Sequence, residues 1–314
     1  MRASALAIGL LMLGAPAASG QQPYSPPRAT DGHPDLQGIW TMRWTTPLER
    51  PADATSLAAS GAEAAAMHKA ARERMLNNNA GGYANQDLAS LALVRGEARA
   101  WLVVDPADGK VPYTRDGRAL SDGFAINKGA DGPEQRWYNE RCVGTGLGIG
   151  AAPLLILPVG NIRQIVQTPD SVVIYTEAFN QLRIIPMDGR PAIRLPRGPS
   201  SVGHWEGETL VVETSGFHAD DQFRRSALAT FPLSPASRIT ERFVRVGEEE
   251  IDYRFTIEDP VLYSRAWTAE TSLKKSTEYM YEFACHEGNY SMAGILGGAR
   301  ADERRAAKVK PRRN

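Results

Sequence analysis

The sequence predicts a mainly β fold, an antiparallel meander that closes into a barrel, with a two-sheet β-sandwich as the alternative. Three observations carry this. After Ala100 the chain breaks into short runs of alternating polarity separated by turn residues. Nothing in that half keeps a helical period over a useful length. And some nine or ten such runs are enough for closure to remove exposed sheet edges, which a barrel does most economically.

The elements follow in order. Residues 1–20, "MRASALAIGLLMLGAPAASG", have a basic start at Arg2, an apolar run from Ala5 to Leu13 and small residues at Ala18 and Gly20. That is the layout of a secretory signal peptide, too short to span a bilayer, and it implies a periplasmic or secreted protein. Residues 21–100 read as an N-terminal extension with one helix, over Gly61–Leu76. Ser60 and Glu63 stand at capping-box spacing, and Met67, Ala71 and Met75 recur every four residues. "NNNAGGYANQ" ends that helix in a loop.

Residues 101–295 form the predicted barrel domain. "WLVVDPADGKVPYT" reads as a strand, an Asp-Gly turn and an extended segment. "IRQIVQTPDSVVIYTE" reads as two strands about a Thr-Pro-Asp-Ser turn, and "LRIIPMDGRP" as a strand ending at Asp188-Gly189. "ETLVVET", "RITERFVRV", "IDYRFTIED" and "TEYMYEFAC" complete the series. Ile251, Tyr253, Phe255 and Ile257 share one face opposite Asp252, Arg254, Thr256 and Glu258. By the same alternation Tyr279, Tyr281, Phe283 and Cys285 line up opposite Glu278, Met280 and Glu282. Residues 296–314 read as a basic, solvated tail with seven basic residues against two acidic ones from Arg300 to Arg313, suited to weak contact with an anionic surface.

The charge balance is 36 basic against 36 acidic residues, which argues against a nucleic-acid partner. The two cysteines, Cys142 and Cys285, most simply pair in an exported protein, and closing so long a loop removes roughly 5 kcal/mol of unfolded-chain freedom. A disulfide places its two Cα atoms within about 7 Å, so Arg141, beside one cysteine, must share a neighbourhood with His286, Glu287 and Asn289, beside the other.

The chain also resembles known families. "DLQGIW", with Gly38 and Trp40, resembles the opening strand of lipocalin-like (calycin) barrels, in which a Gly-x-Trp closes one end. More widely, "LVVDPADGK", "QIVQTPDSVVIYTE", "RIIPMDGRP", "GHWEGETLVVETSGF", "ITERFVR", "YRFTIEDPVLY" and "YEFACHEGNYSM", from about Trp101 to Met292, resemble a family of exported bacterial β-rich proteins of uncharacterised function. The resemblance implies the compartment and the β architecture and brings no reaction with it. Where that family often has His-Asp before the "RIIP" strand, this chain has Asn180-Gln181.

Chemistry narrows to a few side chains. The five histidines stand at no metal-ligand spacing, and "CHEGN" lacks the second histidine of a zincin motif, so no metal and no cofactor is expected. "GPSSVGH" misses the nucleophile-elbow spacing and reads as a loop; "GTGLGIG" misses the dinucleotide fingerprint. Glu241 lies on an apolar strand face, where burial raises its pKa unless a cation pairs with it; Arg141 is one candidate partner. His204 is favoured over His218, which is followed by Asp220 and Asp221, because Trp205 beside it offers a stacking surface.

The sequence therefore supports a cofactor-independent lyase, hydratase, isomerase or hydrolase. In it His286 or His204 works with Glu241 or Glu287, Arg141 or Asn289 steadies negative charge, and a small apolar or aromatic compound sits in a cavity edged by Tyr253, Phe255, Tyr279 and Tyr281. The alternative is a non-catalytic periplasmic binding barrel for a hydrophobic ligand; a structural envelope protein is the third reading.

Overall fold

The computed structural model describes residues 24–77, 88, 90–123, 129–136, 138–142, 151–156, 160–193, 198–218, 223–225 and 230–309. Residues 1–23, with the expected signal peptide, most of "NNNAGGYANQ", all of "GTGLGIG", Asp220 and Asp221, and the last five residues lie outside them.

In chain order the elements begin with β1 (Gly38–Thr41), β2 (Ala58–Ala59), α1 (Gly61–Asn77), β3 (Leu93–Val94), β4 (Glu97–Arg99) and β5 (Val103–Asp105). Then come α2 (Arg115–Asp122), α3 (Tyr138–Arg141), β6 (Ile162–Gln167), β7 (Ser171–Thr176) and β8 (Gln181–Pro186). The remainder are β9 (Ser200–Glu206), β10 (Thr209–Ser215), β11 (Phe223–Arg225), β12 (Thr230–Pro232), β13 (Arg238–Gly247), β14 (Glu250–Glu258), β15 (Trp267–Lys275) and α4 (Ser291–Val309). The capping box is formed: Glu63 N donates to Ser60 Oγ at 3.3 Å and Ser60 N to Glu63 Oε2 at 3.4 Å.

One sheet makes the barrel. Its strands run in the order β8-β7-β6-β1-β15-β14-β13-β10-β9, with β5 alongside β15. Two meanders, β6-β7-β8 and β9-β10-β13-β14-β15, are thus joined by β1, which pairs antiparallel with both β6 and β15, while β11 and β12 pair with each other apart from them. The sandwich alternative is not adopted, and residues 21–100 are no separate extension, since β1 is a central strand. At the far ends of the order, β8 and β9 approach in parallel through a bridge between Met187 and Gly203. A Cβ on Gly203 would come within 2.6 Å of Met187 Sδ and 3.0 Å of Ile185 Cγ2, so the missing side chain lets the seam close.

Three sequence expectations are corrected. "TEYMYEFAC" is not a strand: the ladder ends at Lys275, and Tyr279 and Tyr281 are 79% and 69% exposed. Side chains hold that segment instead. Glu177 Oε1 accepts from Tyr281 N at 3.1 Å, and Asn180 bonds both Phe283 N and Phe283 O at 3.3 Å. "GPSSVGH" is not a loop, because its second half opens β9. The C-terminal stretch is not a plain solvated tail, because Ser291–Val309 is an α-helix.

The barrel interior is packed. Trp40, Phe243, Tyr253, Phe255, Ile257, Trp267 and Leu273 are buried from the walls. Across the end near Trp40, the Arg245 guanidinium lies 5.4 Å from the indole and donates to the carbonyls of Asp35, Gly247 and Glu248. Residues 151–156 fill the interior from within the chain: Leu154, Leu155 and Ile156 are buried, and with Met42, Leu102, Phe231 and Phe255 they bound a cavity of only about 10 Å³, about the space of one water.

Candidate functional site

Strand register decides which polar side chains meet. Directly opposed residues share a face, so Trp205, Leu210, Phe243, Tyr253 and Thr271 form one inward row. Gly203, Val212, Glu241, Phe255 and Ala269 form the next. His204, Val211, Arg242, Arg254 and Glu270 form a row on the outer face. His204 and Glu241 therefore lie on opposite sides of the sheet.

Glu241 is fully buried, as its place on an apolar face requires, and its partner is Arg183 rather than Arg141. Arg183 Nη1 donates to Glu241 Oε1 at 3.1 Å and Nη2 to Oε2. The same guanidinium donates to Ser201 Oγ at 2.9 Å and Thr214 Oγ1 at 2.8 Å. Tyr253 completes the network by donating to Glu241 Oε1 at 2.7 Å, while accepting from Leu154 N at 2.7 Å. Burial first, and the Glu241 charge second, push the Tyr253 phenol well above its usual range, so it stays protonated. Both Glu241 oxygens are thus taken up by Arg183 and Tyr253 in the buried interior.

The other sequence candidates lie elsewhere. His204 contacts Glu206 Oε1 at 3.3 Å on the outer surface; the Glu206 carboxyl is held below its usual range by Arg242 first and His204 second. Trp205 points inward and stacks on His33, with centroids 4.6 Å apart and planes 5° apart. Cys142 and Cys285 are bonded, with Cα atoms 5.6 Å apart. The tether thus brings Arg141, His286, Glu287 and Asn289 into one neighbourhood, where Asn289 Nδ2 donates to Glu140 O at 3.4 Å and lies 2.8 Å from Cys142 Sγ. Arg141, His286 and Glu287 are exposed there, and neither His286 nor Arg141 reaches Glu241.

Of the expected cavity edge, Tyr253 and Phe255 are core, whereas Tyr279 and Tyr281 face solvent. A larger cleft of about 510 Å³ lies on the outer face over β9, β10 and β13, lined in part by Ser200, Val202, Glu213, Arg238 and Thr240; none of the proposed catalytic groups opens into it.

Sequence reasoning missed Arg163, Thr176 and Arg183. In "IRQIVQ" and "LRIIP" apolar residues occupy both parities, so alternation does not say which face is inward. Leu182 and Ile184 are in fact 55% and 39% exposed, and Arg183 between them points in. Arg163 is fully buried. Its Nη1 donates to Asn161 O and Oδ1, both at 3.1 Å, and its Nη2 to Leu155 O. Arg224, also buried, donates from Nε to Ala152 O at 2.8 Å.

Three interior side chains, Tyr253 on β14, Arg163 on β6 and Arg224 on β11, thus bond the backbone of one short segment, residues 152–155. An apolar chamber with a few convergent polar groups is the arrangement of a small-molecule site; here a piece of the chain occupies it. No protein-family model matches the chain, and no curated protein is similar to it.

Proposed function

We propose that the protein is an exported, non-catalytic binding barrel for a small apolar or aromatic molecule that carries one oxygen-bearing polar head. One observation carries the reading: Tyr253, Arg163 and Arg224 converge from three strands on the backbone of residues 152–155, whose neighbours Leu154, Leu155 and Ile156 fill the apolar interior. A ligand of this class replaces the carbonyls and apolar side chains of that segment, its oxygen taking the arginine hydrogen bonds and its apolar body taking the leucine and isoleucine volume. The Cys142–Cys285 bond favours an oxidising compartment, in keeping with the signal-like start of the sequence. An enzyme built on His286 or His204 with Glu241 lacks convergence, because the three groups face three different surroundings.

The test is equilibrium titration of the full mature chain with 1-anilinonaphthalene-8-sulfonate, a probe with an aromatic body and an anionic head, followed by displacement with aromatic carboxylic acids. Saturable one-to-one binding that raises the melting temperature supports the reading. Uptake that does not saturate, or none at all, overturns it.

A further inference from the structure

We propose that Arg163 and Thr176 hold a halide-sized monovalent anion inside the barrel wall. The two residues are directly opposed in the β6–β7 ladder, and both are 0% exposed, which puts their Cβ atoms about 5 Å apart. The other nitrogens of Arg163 are answered, but among the described residues its Nε has no hydrogen-bond partner, and neither has Thr176 Oγ1. Two unsatisfied polar atoms on directly opposed residues in a packed interior are what a small polar ligand, a water or an ion, would satisfy.

Charge decides between the two. Burial lowers the Arg163 pKa to about 10, so the guanidinium remains protonated at neutral pH. Among the other arginines whose side chains are largely covered, Arg183 is paired with Glu241 and Arg99 with Glu97 and Glu270, while Arg245 lies over Trp40 and Arg224 over Phe217. Among the described residues Arg163 faces three neutral oxygens and no carboxylate. A buried charge without a counter-charge is costly. A water would satisfy the two orphaned atoms and leave that charge in place; an anion accepting from Nε–H and Oγ1–H satisfies both and neutralises it. The site uses only atoms that Leu155 leaves unanswered, so it does not depend on the ligand proposed above.

Two measurements test it together. Crystals of the full mature chain soaked in bromide should give an anomalous peak in hydrogen-bonding contact with Arg163 Nε and Thr176 Oγ1. Melting temperatures at constant ionic strength should be higher in sodium chloride than in sodium gluconate, whose anion is too large to enter. Thr176→Val, which keeps the shape and removes one donor, should fold and lose that salt-specific difference, and Arg163→Met should lose it too.

Ordered water at the site with equal melting temperatures in the two salts would overturn the proposal. So would a bromide peak with no chloride effect on melting, an ion taken up at soaking concentration only. A chloride effect that survives in Thr176→Val would also overturn it.

Discussion

Arg183 on β8 and Glu241 on β13 form a two-point ion pair inside the barrel, and the pair spans the seam that the sheet leaves nearly unpaired. The β8–β9 approach has one backbone bridge, at Met187 and Gly203. Toward the start of both strands the seam is held by side chains, with Arg183 donating to Ser201 on β9 and Thr214 on β10 as well as to Glu241. Removing either partner leaves a buried charge. We therefore expect Arg183→Met or Glu241→Gln to cost about 3–5 kcal/mol. The double variant Arg183→Met/Glu241→Gln should cost clearly less than the sum of the two single losses. Urea unfolding of the three variants measures both effects, and strict additivity would contradict the pairing.

Closure of the seam also depends on Gly203. Gly203→Ala drives a methyl against Met187 Sδ and Ile185 Cγ2, for an expected loss of about 1–3 kcal/mol. Met187→Ala in the same chain should relieve part of it. Chemical denaturation reads both; a neutral Gly203→Ala would mean that β8 and β9 do not approach this closely in solution.

The disulfide is expected to resist thiol reagents in the native mature protein and to release two thiols only after reduction. Cys142→Ala/Cys285→Ala should lower stability by up to about 5 kcal/mol, since the bond closes a separation of 143 residues. A free thiol titrated before reduction would contradict it.

His68 supplies a pH signature. Its Nδ1 lies 2.9 Å from Thr45 Oγ1, and burial first, then the nearby Arg72 charge, hold its pKa below 6.5. A histidine with a depressed folded pKa binds its proton more weakly folded than unfolded. Its destabilising effect is therefore absent above pH 6.5, grows as pH falls through 6.5 to the depressed value, and is complete below it. His68→Gln should show a smaller loss of melting temperature over that interval than the unaltered protein. Parallel melting curves would remove His68 as the cause.

Much of the barrel was legible because half-buried strands alternate. The "IDYRFTIE" alternation placed Ile251, Tyr253, Phe255 and Ile257 inward, and all four are buried. β15, "WTAETSLKK", escaped notice because it is covered on both faces. Trp267, Ala269, Thr271 and Leu273 point in, but Ala269 and Thr271 make that face only weakly apolar, and Glu270 and Ser272 on the outer side are buried by Arg99 and the β3–β4 hairpin. "TEYMYEFAC" alternates as well as any strand, yet its anchors are the side chains of Glu177 and Asn180, which a period-two pattern cannot reveal. The disulfide pairing was legible from two cysteines in a chain with a signal-like start; that it leaves His286 and Arg141 in solvent was not, because proximity does not fix direction.

Leu154 offers the sharpest measurement, since stability and affinity should move in opposite directions. Leu154→Ala removes part of the segment that fills the barrel, with an expected stability loss of about 2–5 kcal/mol, while 1-anilinonaphthalene-8-sulfonate should bind at one site more tightly than to the unaltered protein. If the variant is destabilised as expected and the probe binds no better, or binds neither protein, residues 152–156 are ordinary core and the barrel is not a ligand-binding chamber.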